Sequence, residues 1–355
     1  MGLYQNTGKP RFWIPITPFL RENNLLTMDY EISEPGILSG KDVSLIDLDP
    51  FNRVWLSESS SIEIKFQFND TDWIDVGQKY FIGIIGHHFK AALPSSGFIS
   101  LTGDGVDNSQ FSSSDGFNQF NHTNSVNGIQ PEYNGMTLRE FYLPAVDTLG
   151  FSFALDYGMM LGSIVIGKVY DSSNFPNNAD IGIEFTREYN YKKITTDRGI
   201  EHSNSHYMTN PLARFYHLYD EVDYAGSHYA HPTVSNINST YHQGQTQGRS
   251  DLRSCDLTFS NVDEQKLFSK SDSIFPIASD GISTVDTYNF YKDNNTFDQL
   301  THFTMGGSMP FIFQPDEDNF MPDQFAICRF AENSFNMQRD SFNTYRYSMG
   351  VREAF

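Results

Sequence analysis

Two adjacent histidines, His87 and His88, stand at the end of an apolar run, where the loop-side groups of a β-sandwich commonly meet a ligand. With Trp55, an aromatic surface that can stack on a sugar ring, they form the candidate ligand-binding set. The alternative is that one of the two imidazoles sits at a core edge and hydrogen-bonds a backbone carbonyl. The loop Asp104-Gly105-Val106-Asp107-Asn108 places two carboxylates and an amide in a glycine-containing turn. Hard oxygen ligands of this kind suit Ca2+, although the twelve-residue EF-hand pattern is absent and an Asx-rich turn reads equally from the same residues. His202, His206, His228 and His231, with Asp220, Glu221 or Asp223, could supply the three or four converging ligands of a zinc site, or could be hydrogen-bonding groups of a polar surface loop. Asp156, Glu184 and Glu188 lie on or beside predicted strands, but no two of them stand out as the carboxylate pair a glycosidase needs. There is no G-x-S-x-G, Walker A or dinucleotide fingerprint, and neither Cys255 nor Cys328 has a catalytic sequence context. The chain is therefore expected not to be an enzyme and to need no cofactor, with Ca2+ left open at Asp104, Asp107 and Asn108. Trp13, Tyr216, Tyr219, Tyr224 and Tyr229 are the candidate subunit interface, since Tyr and Trp offer an apolar body and a polar tip. Burial in a core is the other reading for Trp13.

The elements that must position these residues are strands. Ile62, Ile64, Phe66 and Phe68 alternate with polar residues and share one face. Tyr80–Gly86 and Gly162–Gly167 read as strands buried on both faces. Gly150–Leu155 and Ile181–Phe185 alternate again, and Phe325–Phe330 with Tyr345–Val351 read as a closing hairpin pair. Short helices are expected only at Val262–Phe268, after an N-cap at Ser260 or Asn261, and at Thr137–Leu143. Many short strands between turn residues predict an all-β protein: a β-sandwich of discoidin or jelly-roll type plus a second β-rich domain with long polar loops. The divisions read as an N-terminal arm or strand at 1–40, a sandwich at 41–190, a polar His- and Tyr-rich excursion at 191–250 and a C-terminal β domain at 251–355.

Composition sets the class. The chain has 355 residues, of which 31 are Phe and 19 are Tyr, enough aromatic surface to build a core and too much for a disordered tail. Against 24 basic residues stand 44 acidic ones, a formal net charge of −20, which disfavours a phosphate-binding surface and hence nucleic acid as a partner. Two cysteines far apart do not make a disulfide framework and read as small buried hydrophobes. No run of apolar residues is long enough to span a membrane as a helix, and the first twenty residues, with Pro10, Pro15 and Pro18, do not read as a signal peptide.

Several segments in order resemble phage tail proteins. Ile46–Leu56 is similar to the start of discoidin-like, galactose-binding-like sandwiches. The strand Ile62–Phe68 follows, then Tyr80–Phe89, which resembles their strand-turn with His88 standing where the family pattern has Asn. Ser163–Lys168 resembles a later strand of the same sandwich. Met309–Asp316, Phe325–Arg329 and Tyr345–Val351 with Glu353 look like the closing strands of distal-tail or tail-hub proteins. These matches cover about half of the chain. The resemblance implies a virion structural protein of a bacteriophage tail tip or baseplate, made in the host cytoplasm and forming a homo-oligomeric ring with other tail proteins. The N-terminal arm and the His- and Tyr-rich loop would make the contacts, and the resemblance implies a sandwich that presents a site for a host-surface glycan. Two other functions remain open: a glycan-binding adsorption or capsid-decoration protein, and a virion-associated glycan hydrolase.

Overall fold

The structure, a computed structural model, describes residues 8–32, 46–48, 54–56, 62–71, 73–75, 77–87, 99–102, 129, 135–143, 146–153, 159–175, 181–189, 191–195, 201–205, 251–268, 296–320, 324–331 and 335–354, in places the backbone alone. In chain order the elements are β1 (Arg11–Pro15), α1 (Thr17–Glu22), β2 (Leu26–Ile32), β3 (Val54–Leu56), β4 (Ile62–Phe68), β5 (Lys79–His87), β6 (Ser100–Thr102), β7 (Gly135–Tyr142) and β8 (Thr148–Phe153). They continue with β9 (Met159–Leu161), β10 (Ser163–Tyr170), β11 (Ile181–Tyr189), β12 (Tyr191–Thr195), β13 (Glu201–Ser205), β14 (Asp251–Asp263), α2 (Glu264–Leu267) and α3 (Thr296–Phe303). The last are β15 (Phe311–Gln314), β16 (Ala326–Phe330), β17 (Asn336–Ser341) and β18 (Thr344–Glu353). The protein is all-β and sandwich-like, as its alternating segments predict.

Ten strands make one antiparallel sheet, in the order β11-β14-β18-β16-β15-β1-β10-β5-β7, with β17 also pairing β18. A four-stranded sheet, β2-β4-β8-β6, is the second layer, and β12-β13 and β3-β9 are two-stranded. The first ordered strand is central. Phe12 lies opposite Tyr170 on one side and Phe313 on the other. Of the two expectations for the N-terminal segment, the strand describes it, and an arm reaching to a neighbour does not describe residues 11–15. The boundary expected near residue 190 does not separate two sheets either, because β11 pairs along its length with β14 and strands from both sides of that point share the large sheet.

Period-two alternation sorts the sheet's side chains onto two faces. One face carries Phe12, Ile14, Tyr80, Ile82, Ile84, Ile164 and Ile166, which join Ile64, Phe66, Phe68, Leu149 and Phe151 of the four-stranded sheet in one core. Trp73 is wedged between the layers, with ring centres 5.0 Å from Phe68 and 5.9 Å from Tyr80. Further along the same face the cover is α3: Phe297 packs 5.0 Å from Phe259 and 4.4 Å from Tyr347. The other face has its own core around Trp13, Phe81, Leu138, Val165, Ile312 and Ile327. Burial on both faces is why β5 and β10 read as unbroken apolar runs.

Two expected helices differ. Thr137–Leu143 is strand: β7 pairs with β5 from Lys79↔Tyr142 to His87↔Gly135, and the ladder outweighs the weak helical preference of its Leu-Arg-Glu centre. Of Val262–Phe268 only Glu264–Leu267 is helical, after an N-cap at Asp263, because β14 resumes pairing at Val262 past an irregularity at Asn261, whose φ is +59°. Phe325–Phe330 and Tyr345–Val351 do pair, at the end of β18, but the hairpin is formed by β17 with β18, because β17 intervenes in the chain.

Gly167 is where β1 and β5 crowd β10. A methyl group there would run into the Ile14 carbonyl oxygen and the Phe81 ring. Gly167→Ala is expected to cost about 1–3 kcal/mol through overpacking, read as a lower midpoint in urea unfolding; an unchanged midpoint would show that the sheet is looser here than described.

Candidate functional site, a buried charge cluster

Four charged residues, Arg11, Lys79, Glu140 and Asp171, gather at one end of the second face of the large sheet. β1, β10, β5 and β7 alternate in direction, so the start of β1 (Arg11), the start of β5 (Lys79), the later part of β7 (Glu140) and the residue just after β10 (Asp171) come together. Arg11 Nη1 donates to Glu140 Oε1 at 2.9 Å, and its Nη2 lies 3.7 Å from Asp171 Oδ2. Lys79 Nζ donates to the same Asp171 oxygen at 2.8 Å. The Arg11 guanidinium stands over Trp13 at 5.6 Å and Phe320 at 5.8 Å, which shields it from water without supplying a counter-charge.

Two loops close the end. The backbone N–H and hydroxyl of Ser173 donate to Asp171 Oδ1. Ser172 donates its N–H to Glu317 Oε2 at 3.0 Å and its hydroxyl to Oε1 at 2.6 Å. The Trp13 indole donates to Gln314 Oε1 at 3.2 Å, and the Gln314 amide donates to the carbonyls of Asp316 and Asn319.

The two carboxylates part in acidity. Burial pushes Glu140 up to about 7, against the pull of Arg11 and Lys79. Burial also raises Asp171, but the hydrogen bonds from Lys79 and Ser173 and the Lys79 charge outweigh it, so Asp171 is lowered. Such a split is what paired acid and base roles require. Here, however, only 2% of the Glu140 side chain and 4% of the Asp171 side chain is exposed, so the groups meet each other rather than a substrate. The arrangement is a clamp that fixes the ends of four strands.

The expected site residues fall elsewhere. His87 is fully buried, in line with the core-edge reading, and its Nε2 lies 2.9 Å from the Thr137 hydroxyl of β7. Trp13, expected at an interface, is fully buried and packs edge-on to Phe81 with ring centres 5.4 Å apart. Trp55 lies in β3 opposite Met160, and its side chain is outside what is described. His88, Asp104, Asp107, Asn108, Tyr216, Tyr219, Tyr224 and Tyr229 lie outside the described residues. His202 is in β13, opposite Ile194. Cys255 and Cys328 are free and buried, each thiol raised by burial, and line a small cavity of about 10 Å3 with Phe185, Phe313 and Val351. Among the described residues no group of three or more His, Cys, Asp or Glu side chains could hold a metal ion. Sequence reasoning missed the clamp. Glu140 lay in Thr137–Leu143, which reads as a short helix, so the sequence carried no sign of it.

Comparison of the chain with protein-family models, with curated proteins and with solved structures gave no match.

The sign of the Glu140 contribution is fixed. Its value of about 7 in the fold lies above the ordinary 4.5, so its contribution to stability is fully present below about 4.5 and is lost as pH rises through about 7. Asp171 acts oppositely, and only at lower pH. Glu140→Gln keeps a neutral group, and is expected to fold and to melt with a flatter pH dependence between pH 5 and 8. Its advantage over the parent should grow toward pH 8, to on the order of 1–3 kcal/mol. Parallel melting profiles would remove this assignment.

Proposed function

We propose that this chain is a structural subunit of a bacteriophage tail tip or baseplate, assembling with copies of itself and with other tail proteins. The observation that carries the proposal is where the phage-like segments fall. Tyr80–His87 and Ser163–Lys168 lie on the neighbouring strands β5 and β10, while Phe311–Gln314, Phe325–Arg329 and Tyr345–Val351 lie on the consecutive strands β15, β16 and β18 of the same sheet. Ile62–Phe68 supplies β4 of the opposing layer. Segments that resemble such proteins separately in sequence are thus joined side by side. The charge cluster supports a scaffold role, since its ionised groups are spent on holding strand ends together.

A subunit of this kind self-associates through contacts that close, head to tail, into a ring. Light scattering on the purified chain over a concentration series is expected to give a discrete oligomer. A monomer throughout, with no affinity for purified tail proteins, would overturn the proposal.

A further inference from the structure

Among the described residues β7, β11 and β17 each border the large sheet with one side unpaired, and the three are not alike. β7 is closed in, with Met136–Phe141 buried. β17 is exposed along its length but carries Arg339, Asp340 and an irregularity between Arg339 and Ser341, which discourage the addition of another strand. β11 has no such irregularity. All nine of its residues keep one register with β14, from Ile181↔Phe259 to Tyr189↔Asp251, and none is proline. Over Ile181–Thr186 its only charge is Glu184.

The side chains of this edge say what would complete it. The inward row, Ile181, Ile183 and Phe185, packs against the first core but stays half-buried. One more strand, with apolar residues at alternate positions, would cover the open flank of that row. The outward row, Gly182, Glu184 and Thr186, is exposed. Glu184 stands opposite Asp256 of β14, and among the described residues neither acid has an ion-pair partner. A Lys or Arg on the open side of Glu184 would offset that repulsion.

The geometry points to the β11 edge as the seat for an extended strand of a neighbouring copy of this chain. The added strand hydrogen-bonds its backbone to the outward N–H and C=O groups of β11. It places apolar residues beside Ile181, Ile183 and Phe185, and a basic residue beside Glu184. Backbone pairing supplies the affinity, and the two rows supply the selection. β11 receives and a different segment gives, so the contact runs head to tail and repeats from copy to copy until it closes. The inference rests on the reading that the chain self-associates, and it names the receiving surface.

The test pairs sedimentation equilibrium of the full chain with the binding of a labelled synthetic peptide, followed by fluorescence anisotropy. The peptide alternates valine with threonine and carries lysine at its central polar position. It is expected to bind the chain and to lower the mass of the oligomer by competing for the edge. Glu184→Lys should weaken peptide binding and self-association by about tenfold or more, and a peptide with glutamate in place of the lysine should bind that variant in preference to the parent. The substitution moves the formal net charge from −20 to −18, two units for one residue, so general repulsion between copies falls and the loss is specific to the edge. Ile183→Lys, which sets a charge in the inward row, should abolish both while circular dichroism shows a folded chain. A monomeric parent that binds the peptide overturns the proposed self-assembly, and the copy as donor with it, but supports the edge as a strand seat. A monomer that ignores the peptide overturns both. An oligomer indifferent to the peptide and to both substitutions overturns the seat alone, and one that stops at two copies overturns head-to-tail donation.

Discussion

Between Ser163–Tyr170 and Phe311–Gln314 the large sheet is continuous because Arg11–Pro15 lies between them, paired to both. A strand from near the start of the chain must therefore meet partners about 150 and 300 residues away before either half of the sheet is complete. The entropy of closing such loops grows slowly with length, but the contacts that repay it come late, so this is a slow-folding topology. The same strand sets both cores. Phe12 and Ile14 point into the one shared with the four-stranded sheet, and Trp13 into the other. All five of its residues are buried.

Register is what β1 has to get right, and the charge cluster is the means. A one-residue slip would turn Arg11 toward the aromatic core and Phe12 toward Glu140 and Asp171. Buried ion pairs contribute little net stability, because desolvation offsets their attraction, but a buried charge left unpaired is costly. The Arg11–Glu140–Asp171–Lys79 network thus penalises wrong registers more than it stabilises the right one. A second pair repeats the device at the other end of the chain: Arg253 Nη2 donates to Glu353 Oε1 at 3.1 Å and its backbone N–H to Oε2 at 2.9 Å, tying β14 to the end of β18.

The strands were legible because burial writes itself locally. Ile62–Phe68 alternates since one face is covered, and Tyr80–Gly86 runs apolar since both are. Pairing was not legible, since nothing near Phe12 names Tyr170 or Phe313 as its neighbours. That is why residues 1–40 read as either an arm or a strand and residue 190 as a boundary. The clamp was hidden for the same reason: Arg11, Lys79, Glu140 and Asp171 converge only through register. Thr137–Leu143 misled because Leu, Arg and Glu favour helices locally, and only the β5 ladder overrides them. His87 and Trp13 each allowed a surface and a core reading, and the core reading describes them. Each is a residue type that serves at surfaces and in cores alike, and here a Thr137 hydroxyl and a Gln314 amide satisfy their polar atoms inside.

At a net charge of −20, copies repel one another at long range. An apolar patch large enough to overcome that would also invite aggregation of free chains. On one face of β11, β14 and β18 the exposed residues are instead short or charged, Glu184, Thr186, Asp256 and Arg352 among them. Interfaces formed between already folded partners are about as polar as the rest of the surface, and draw specificity from such arrangements rather than from apolar area. The edge next to this face is consistent with that logic. β17 is exposed along its whole length, yet it carries Arg339 and Asp340 and an irregularity between Arg339 and Ser341, features that discourage strand-to-strand addition. The sheet thus blunts this exposed edge.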